Sequence, residues 1–410
     1  MPHRPLPNLF RAVLIIAGCV GSFAAGCGST QAAEKLPTLA VDIDFSGGSA
    51  VVEAIDQEER LIRILPSDHP RHGWRCWWYI HVTGIKPGET LTLDVGGGVW
   101  ATPDRATYSS DREQWQHTEP GKRDGQRIVF RQRIDAEEAW FAWGPPFVPE
   151  DSRRLVEQAA QRCKGAEVFN LCQTRGGRET PALKISPVGG KQPRFGIWVQ
   201  ARQHAWESGS SWVCKGFVDW ITSDDASAAA LREKAVIVIV PVMDIDNVAI
   251  GAGGKNQVPQ DHNRDWTDEP HWRAVAAAQQ AIAQLDDNET FDLFIDLHNP
   301  AANDREPFFF ATPKDLLKPP GDKNLAAFLK IAKEQINGSL AYKGRVRESG
   351  ASYDPAWKAI SKNWVTTHCR PHVVAVTLET SWNTPASTTE GYLGVGSGLG
   401  RAIGDYLLKQ

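Results

Sequence analysis

The sequence lacks several features that would assign it to a familiar class at once. Its 410 residues carry a net charge of -4, which gives no electrostatic reason to expect binding to nucleic acid. None of the 7 cysteines stands in a Cys-x-x-Cys pair, which argues against a zinc site built from thiolates. The sequence shows no internal repeat and no low-complexity segment. What is left is an ordinary globular composition, 41% hydrophobic and 23% charged.

Residues 1–33 have the composition of an export signal. Two arginines precede a short apolar run at 12–17, which is well below the roughly 20 apolar residues of a membrane span. Cys19 and Cys27 each end a segment that resembles a lipoprotein cleavage box, whereas the small residues up to Ala33 suit an ordinary signal peptidase. We therefore predict an exported protein, periplasmic or extracellular, attached to a membrane only through a lipid anchor or not at all. A disordered tail on a cytoplasmic protein is the alternative.

Five cysteines remain beyond this leader, so at least one thiol stays unpaired. Cys163 and Cys172 could form a disulfide in an exported protein. Buried free thiols are the alternative, because cysteine often behaves as a small apolar residue in protein cores.

Residues 36–147 have the pattern of a β region. Short apolar or alternating runs recur there, for example at 61–65, 90–95 and 127–134, and turn residues follow each run. No long helical period interrupts them. The spacing predicts an all-β sandwich as the N-terminal domain.

From residue 149 the pattern changes to alternating strands and helices. Apolar runs at 195–199, 235–240, 291–295 and 373–378 are typical of strands buried in a sheet. Helical patterns lie between them. This alternation predicts an α/β catalytic domain over 149–410, with a mixed, mostly parallel sheet flanked by helices.

Polar residues with catalytic potential follow three of these buried runs. His204 and Glu207 come after the first run, His298 after the third and Glu379 after the last. Because ligands bind at the carboxyl ends of strands in open α/β sheets, we expect these side chains to meet at one edge. Two histidines and one glutamate, here His204, Glu207 and His298, are a known ligand set for one catalytic zinc ion.

Other polar residues fit the remaining roles of a zinc hydrolase. A carboxylate has to take the proton of the attacking water and pass it to the leaving amine, and Glu379 suits this task. Arg264, with Asn263 beside it, could hold a substrate carboxylate, since a guanidinium binds a carboxylate through two hydrogen bonds. Asp261 could hold the free ring nitrogen of a ligating histidine.

Each of these residues also has a simpler explanation. The His-x-x-Glu pair could be a surface pair, and Glu379 could be a solvated strand end. The order and context of the whole set are more specific than any single member.

The complete set resembles the zinc carboxypeptidase family, and most of all its cytosolic carboxypeptidase branch. The family motif runs His-x-x-Glu, Asn-Arg, a distant His and a Glu near the C-terminus, and residues 204–207, 263–264, 298 and 379 match it in order. The flanking segments ARQHAWESGSSWVCKGF and TLETSW are also similar to that branch. The resemblance extends from about residue 62 to the C-terminus, and implies the β-sandwich domain that this branch carries before its catalytic domain.

Two further site residues follow only from the resemblance. The family has an arginine before Asn-Arg that polarises the scissile carbonyl, and Lys255 is the only cation in the matching segment, GAGGKNQVPQDHNRDW. Tyr353 lies in the region of the pocket tyrosine of digestive carboxypeptidases and would contact the substrate. The family's Asn-Pro-Asp-Gly turn is replaced here by residues 243–247.

We predict a zinc-dependent metallocarboxypeptidase that hydrolyses a C-terminal peptide or isopeptide amide next to a free carboxylate, with water activated by zinc and Glu379. The expected partner is a peptide or peptide-like substrate. Export favours peptidoglycan stem peptides, extracellular peptides or N-acyl amino acids over tubulin-like tails. Two alternatives stay open: an N-acyl amino acid deacylase or amidase, and a non-catalytic protein that binds glycans or peptides.

Overall fold

The computed structural model describes residues 36–98 and 101–409. The predicted export leader at 1–33 lies outside these described residues, so export and lipid anchoring stay predictions. Within the described ranges, no helix is both long enough and apolar enough to cross a membrane.

The N-terminal part of the chain consists of short strands in two five-stranded sheets. The first has the order β1-β4-β10-β6-β7 and the second the order β2-β3-β5-β9-β8. The strands are β1 Ala40–Asp42, β2 Val51–Asp56, β3 Leu61–Leu65, β4 Tyr79–Thr83, β5 Glu89–Val95, β6 Thr107–Ser109, β7 Gln116–His117, β8 Lys122–Asp124, β9 Arg127–Ile134 and β10 Glu138–Ala142. The predicted β-rich N-terminal region is therefore confirmed.

Alternation explains how these sheets bury one face. In β9, Ile128 and Phe130 are buried whereas Arg131 and Arg133 face solvent, as expected for a strand whose side chains point to opposite faces. The buried residues of both sheets belong to one apolar cluster, which also includes Trp206 and Trp382 from the later part of the chain. The β-rich region therefore shares its core with two loops of the following α/β region.

The second part of the chain is built on an eight-stranded sheet of order β11-β12-β14-β13-β15-β18-β16-β17. Its strands are β11 Ala166–Gln173, β12 Glu179–Ile185, β13 Phe195–Ala201, β14 Ala235–Val240, β15 Phe291–His298, β16 Phe308–Ala311, β17 Val346–Glu348 and β18 Val374–Glu379. The four central strands, β14, β13, β15 and β18, run parallel. β11 pairs antiparallel with β12, β12 with β14 and β16 with β18, whereas β16 and β17 are parallel. The predicted mixed sheet is confirmed.

Helices cover both faces of this sheet. They are α1 Pro149–Arg162, α2 Ser208–Ile221, α3 Ala226–Arg232, α4 Ile245–Ala249, α5 Arg273–Asp287, α6 Gly321–Gln335, α7 Ser361–His368 and α8 Thr389–Leu408. Within β13, Ile197 and Val199 pack into one apolar cluster with α2 and α8, whereas Trp198 packs into another with α5. A strand buried on both faces needs a continuous apolar run, which is the pattern that the sequence shows.

All five cysteines of the described residues are free thiols. The disulfide between Cys163 and Cys172 is therefore not formed, and the alternative of free thiols holds. Cys163 is buried, whereas Cys172 is partly exposed on β11.

Candidate metal centre

The parallel strands β13, β15 and β18 place their carboxyl ends side by side. His298 is the last residue of β15 and Glu379 the last of β18, and the two lie opposite each other in the ladder. The turn after β13 starts at the same edge, since Ala201 pairs with Leu297. The predicted polar clusters therefore meet at one edge of the sheet.

Arg202 shapes the turn that carries the first two candidate ligands. Its φ angle of 64° lies in the left-handed region, which a residue with a side chain rarely adopts. The buried guanidinium donates hydrogen bonds to the carbonyl oxygens of Ala205, at 2.7 Å, and Phe147, at 3.0 Å. These bonds hold the strained turn, so that His204 and Glu207 project from it before α2 begins.

His204, Glu207 and His298 form one buried cluster. Their potential ligand atoms all lie within 4.8 Å of one another. Nδ1 of His204 is 2.8 Å from one carboxylate oxygen of Glu207, and Nδ1 of His298 is 2.7 Å from the other. Two imidazole nitrogens and a carboxylate at this spacing fit a single zinc ion with an open coordination position.

A carboxylate orients each imidazole from its opposite side. His204 Nε2 lies 3.1 Å from Oδ1 of Asp261, and His298 Nε2 lies 3.1 Å from Oδ2 of Asp296. A bond at Nε2 fixes the tautomer that leaves Nδ1 free for a metal. Sequence reasoning named Asp261 but missed Asp296, although Asp-x-His on one strand places both side chains on the same face.

The charges of this cluster are tightly coupled. Burial acts to lower the pKa of His298, but the carboxylates of Asp296 and Glu207 outweigh it and raise the pKa well above 6.5. Burial acts to raise the pKa of Glu207, and the two imidazoles hold it below its usual range instead. Without metal, a proton on His298 therefore balances the buried carboxylates, and a metal ion would have to displace that proton.

Glu379 differs from the other carboxylates because one of its oxygens is unsatisfied. Oε2 is buried and has no hydrogen-bond partner among the described residues. Burial, reinforced by the nearby charge of Glu207, raises the pKa of Glu379 to about 8. A buried polar atom without a partner is costly, which indicates that a ligand or water completes the site.

Every predicted site residue except Asp261 lines one cavity of about 200 Å³. Lys255 reaches the ligand set directly, since its Nζ lies 3.4 Å from His204 Nε2 and 3.6 Å from an oxygen of Asp261. On the opposite side, Arg264 Nε lies 2.9 Å from Oδ2 of Asp354, and its guanidinium lies 5.7 Å from the ring centre of Tyr353. The structure therefore brings all of these residues to one place.

Asn263 is held by internal contacts. Its Oδ1 accepts a hydrogen bond from the backbone N–H of Ser361 at 3.0 Å, and its Nδ2 lies 3.2 Å from His298 Nε2. Arg264, whose guanidinium borders the cavity, is therefore the more available of the two for a substrate carboxylate.

The cavity also contains a buried lysine that sequence reasoning missed. Nζ of Lys362 donates hydrogen bonds to the carbonyl oxygen of Ala311 at 2.9 Å, to Asn363 Oδ1 at 2.7 Å and to Ser349 Oγ at 2.5 Å. Burial lowers the pKa of Lys362 well below 10.5. No sequence signal marks this residue, because it lies within an ordinary helical pattern.

Comparison with known proteins places this site in context. Residues 153–282 match the family model described as zinc carboxypeptidase. This segment of the chain resembles a zinc carboxypeptidase domain. This match confirms the resemblance inferred from the motifs, and its description agrees with the predicted zinc ion and with a peptidase.

Relatives of this chain include proteins from bacteria and animals. An uncharacterised protein of Zymomonas mobilis is 27% identical over 276 residues, which cover 65% of this chain and 68% of that protein. Human cytosolic carboxypeptidase 6 is 31% identical over 285 residues, which cover 62% of this chain and 55% of that protein. The match to bovine cytosolic carboxypeptidase 3 spans only 25% of that protein's length. The chain thus spans a quarter to about half of these cytosolic carboxypeptidases.

Solved structures support the same fold. A metallo-carboxypeptidase of Burkholderia cenocepacia superimposes with a TM-score of 0.77 at 21% identity, covering 91% of this chain and 99% of that one. A metallo-carboxypeptidase of Pseudomonas aeruginosa, solved in complex with (2-guanidinoethylmercapto)succinic acid, has a TM-score of 0.73 at 22% identity, covering 89% and 98%. At this level of sequence identity, the similarity shows a shared fold and nothing further.

Proposed function

We propose that this protein is a zinc-dependent metallocarboxypeptidase that hydrolyses the C-terminal peptide or isopeptide amide next to a free carboxylate. One observation carries the proposal. A single cavity contains the His204, Glu207 and His298 cluster, the unpaired oxygen of Glu379, and the guanidinium of Arg264. A metal site, a proton acceptor and a carboxylate-binding group are the three parts that this reaction requires.

Glu379 is the proposed proton carrier. Zinc held by the cluster would polarise the scissile carbonyl and lower the pKa of the attacking water towards about 7. Glu379, at the end of β18 opposite His298, would accept the proton of that water through its unpaired oxygen and later deliver it to the leaving amine. Bound zinc would favour the ionised carboxylate that this step requires, because a nearby positive charge lowers the pKa of a carboxyl group. Its burial excludes competing water, which strengthens the hydrogen bond to the substrate.

Arg264 is the proposed anchor for the terminal carboxylate. The ion pair with Asp354 orients its guanidinium, and the ring of Tyr353 lies beside it. A guanidinium can bind a carboxylate bidentately, with Asn263 next to it in the cavity. Lys255, near His204, is the proposed source of positive charge for the scissile carbonyl oxygen.

The test compares peptides with free and amidated C-termini, using zinc-loaded wild type and Glu379→Gln. We expect wild type to release the terminal residue from the free peptide much faster than from the amidated one. The variant should retain its zinc but lose activity by about 10²–10⁴-fold, the usual contribution of general acid–base catalysis. Full activity of Glu379→Gln, with its zinc retained, would overturn the proposed mechanism. Hydrolysis of N-acyl amino acids but of no peptide would instead indicate a deacylase.

We also propose that the β-rich region over 36–147 is a β-sandwich domain and that the protein is exported. The two five-stranded sheets contribute to one apolar core, which is the arrangement of a sandwich. The leader composition supports export. Mass spectrometry of the mature N-terminus after expression would test the location, since an uncleaved, unmodified Met1 in a cytosolic fraction contradicts it.

A further inference from the structure

The loop that carries Lys255 is enclosed between the turn of the first two candidate ligands and the β-rich region. We call residues 251–258 the Lys255 loop. On one side, the carbonyl oxygen of Gly253 accepts a hydrogen bond from the backbone N–H of Trp206, in the ligand turn, at 3.0 Å. On the other side the loop contacts residues 71–74, which lie between β3 and β4 and which we call the 71–74 segment.

Backbone hydrogen bonds join the Lys255 loop to the 71–74 segment. The N–H of Gly254 donates to the carbonyl oxygen of His72 at 2.8 Å. Two residues further along the segment, the N–H of Trp74 donates to the carbonyl oxygen of Lys255 at 2.9 Å. The two bonds lie on either side of the pair Gly254 and Lys255, so they fix the backbone from which the lysine side chain extends.

Gly73 allows the two backbones to approach this closely. Its φ angle is 91°, a conformation that glycine adopts without steric cost. A Cβ atom at this position would lie 2.5 Å from the carbonyl oxygen of Lys255 and 2.6 Å from the carbonyl carbon of Gly254. These are backbone atoms, which cannot turn aside as the end of a flexible side chain can. An alanine at this position would therefore push the Lys255 loop away.

The side chain of His72 makes a second connection to the same loop. Its Nδ1 lies 2.6 Å from Oδ1 of Asn247, which is buried. Nδ2 of Asn247 donates to Oδ2 of Asp244 and to Oε1 of Gln257, both at 2.7 Å. Gln257 belongs to the Lys255 loop, so His72 supports that loop through its side chain as well as through its carbonyl oxygen. Buried polar groups that are all paired make such a network rigid.

The backbone support matters because the contacts of Lys255 to the zinc cluster are long. Its Nζ lies 3.4 Å from His204 Nε2 and 3.6 Å from Oδ2 of Asp261. Contacts of this length are weak as hydrogen bonds, and a flexible four-carbon stem separates Nζ from the backbone. The position of the ammonium charge therefore depends on where the loop places the Cα atom of Lys255.

We propose that the 71–74 segment of the β-rich region positions Lys255 for the reaction. This inference rests on the proposed function, in which Lys255 supplies positive charge to the scissile carbonyl oxygen. Charge stabilisation of this kind depends on groups that are already in place, and a shift of about 1 Å can cost about 10²-fold in rate. A displaced loop should therefore lower kcat, whereas binding of the terminal carboxylate at Arg264 should be kept.

The experiment uses full-length, zinc-loaded protein and one peptide with a free C-terminus. Lys255→Ala should lower kcat by about 10²–10³-fold, the usual cost of removing one group that stabilises the oxyanion. Gly73→Ala should lower kcat by about 10–10²-fold and change KM by less than about threefold. In the double variant, Gly73→Ala should add less than about twofold to the loss caused by Lys255→Ala, because no cation is left to be displaced.

Gly125→Ala is the matched control. Gly125 lies in the turn between β8 and β9 of the same region and also has a positive φ angle, 57°, but a Cβ atom there would meet nothing within 4 Å. This variant has a similar backbone strain without the collision, so it should keep the wild-type kcat. Thermal unfolding and zinc content would establish that each variant is folded and loaded.

His72→Ala is a second variant, which keeps the backbone bonds and removes only the bond to Asn247. It should lower kcat several-fold in the wild-type background and leave kcat unaltered in the Lys255→Ala background. If Gly73→Ala does not fold, this comparison decides the same question.

The outcomes separate the inference from the proposed function. Unaltered kcat in both Gly73→Ala and His72→Ala would overturn the inference, and so would equal losses in the wild-type and Lys255→Ala backgrounds, since the segment would then be merely structural. Wild-type kcat for Lys255→Ala would overturn the inference and the role of Lys255, but not the zinc hydrolase. Failure of wild type to cleave the peptide would overturn the proposed function and the inference with it.

Discussion

The substitution Asp296→Asn tests whether a carboxylate of the central sheet orients the proposed zinc ligand His298. Asp296 is fully buried, and its Oδ2 lies 3.1 Å from His298 Nε2. The same oxygen accepts hydrogen bonds from Gln203 Nε2 and Ser361 Oγ, both at 2.6 Å. Asparagine keeps the shape but removes the charge. The new N–H₂ group would face either His298 and the other donors at this position or the donor Nε2 of Gln200. In both cases a donor faces a donor, so the imidazole loses the bond that fixes its orientation.

The expected magnitude follows from the loss of one outer partner of a metal ligand. Such changes usually weaken metal affinity about 10–100-fold, which corresponds to about 1.4–2.8 kcal/mol. A second effect acts in the opposite direction. Asp296 raises the pKa of His298, so its removal weakens the competition between a proton and the metal. The deficit in zinc affinity should therefore be larger at pH 8 than at pH 6.

The assay is a competitive titration of zinc against a chromophoric chelator at both pH values. Asp292→Asn is the control, because Asp292 lies on the same strand but at its other end, where it accepts a hydrogen bond from Gly196 N. That variant should bind zinc like wild type. If Asp296→Asn binds zinc as tightly as the control at pH 8, the carboxylate does not orient His298 and the reasoning fails.

Three further predictions follow from the same structure. In wild type, zinc affinity should rise with pH until the pH exceeds the raised pKa of His298, because the folded protein holds a proton there that zinc has to displace; a pH-independent dissociation constant would contradict this. Arg264→Ala should lower kcat/KM for peptides with a free C-terminus, which corresponds to a loss of several kcal/mol of transition-state binding. It should change kcat/KM for an amidated or ester analogue little. Equal losses for both substrates would assign Arg264 a structural role. Arg202→Lys should lower the free energy of unfolding by about 1–3 kcal/mol in a denaturant titration, since lysine cannot bond both carbonyl oxygens that Arg202 reaches; no change would contradict the proposed hold on the turn.

The strands of the central sheet could be predicted from the sequence because they are buried on both faces. Runs such as 195–199 and 235–240 have to be continuously apolar, and the sequence shows this pattern. The short strands on one side of the sheet are harder to predict. Phe308–Ala311 and Val346–Glu348 are only 4 and 3 residues long, so their pairing with β18 and with each other depends on neighbours distant in sequence. Val51–Asp56 is mostly exposed and lacks a clear alternation.

The candidate ligands were accessible from the sequence for a related reason. Spacing within one turn brings His204 and Glu207 together, and strand ends fix the positions of His298 and Glu379. These are local properties, which residue order determines once the parallel sheet is assumed. The assigned chemical roles of these residues stay predictions until the experiments above are done.

Only the tertiary structure decided what surrounds these groups. It places His298 opposite Glu379 in neighbouring strands. It leaves one oxygen of Glu379 without a hydrogen-bond partner among the described residues, and it pairs the amide of Asn263 with the backbone of Ser361. It also bonds the Lys255 loop to the 71–74 segment of the β-rich region. The physical reason is that the sequence gives directly only residue types and their local spacing. Burial, hydrogen-bond partners and shared cavities arise between segments that are far apart in the chain.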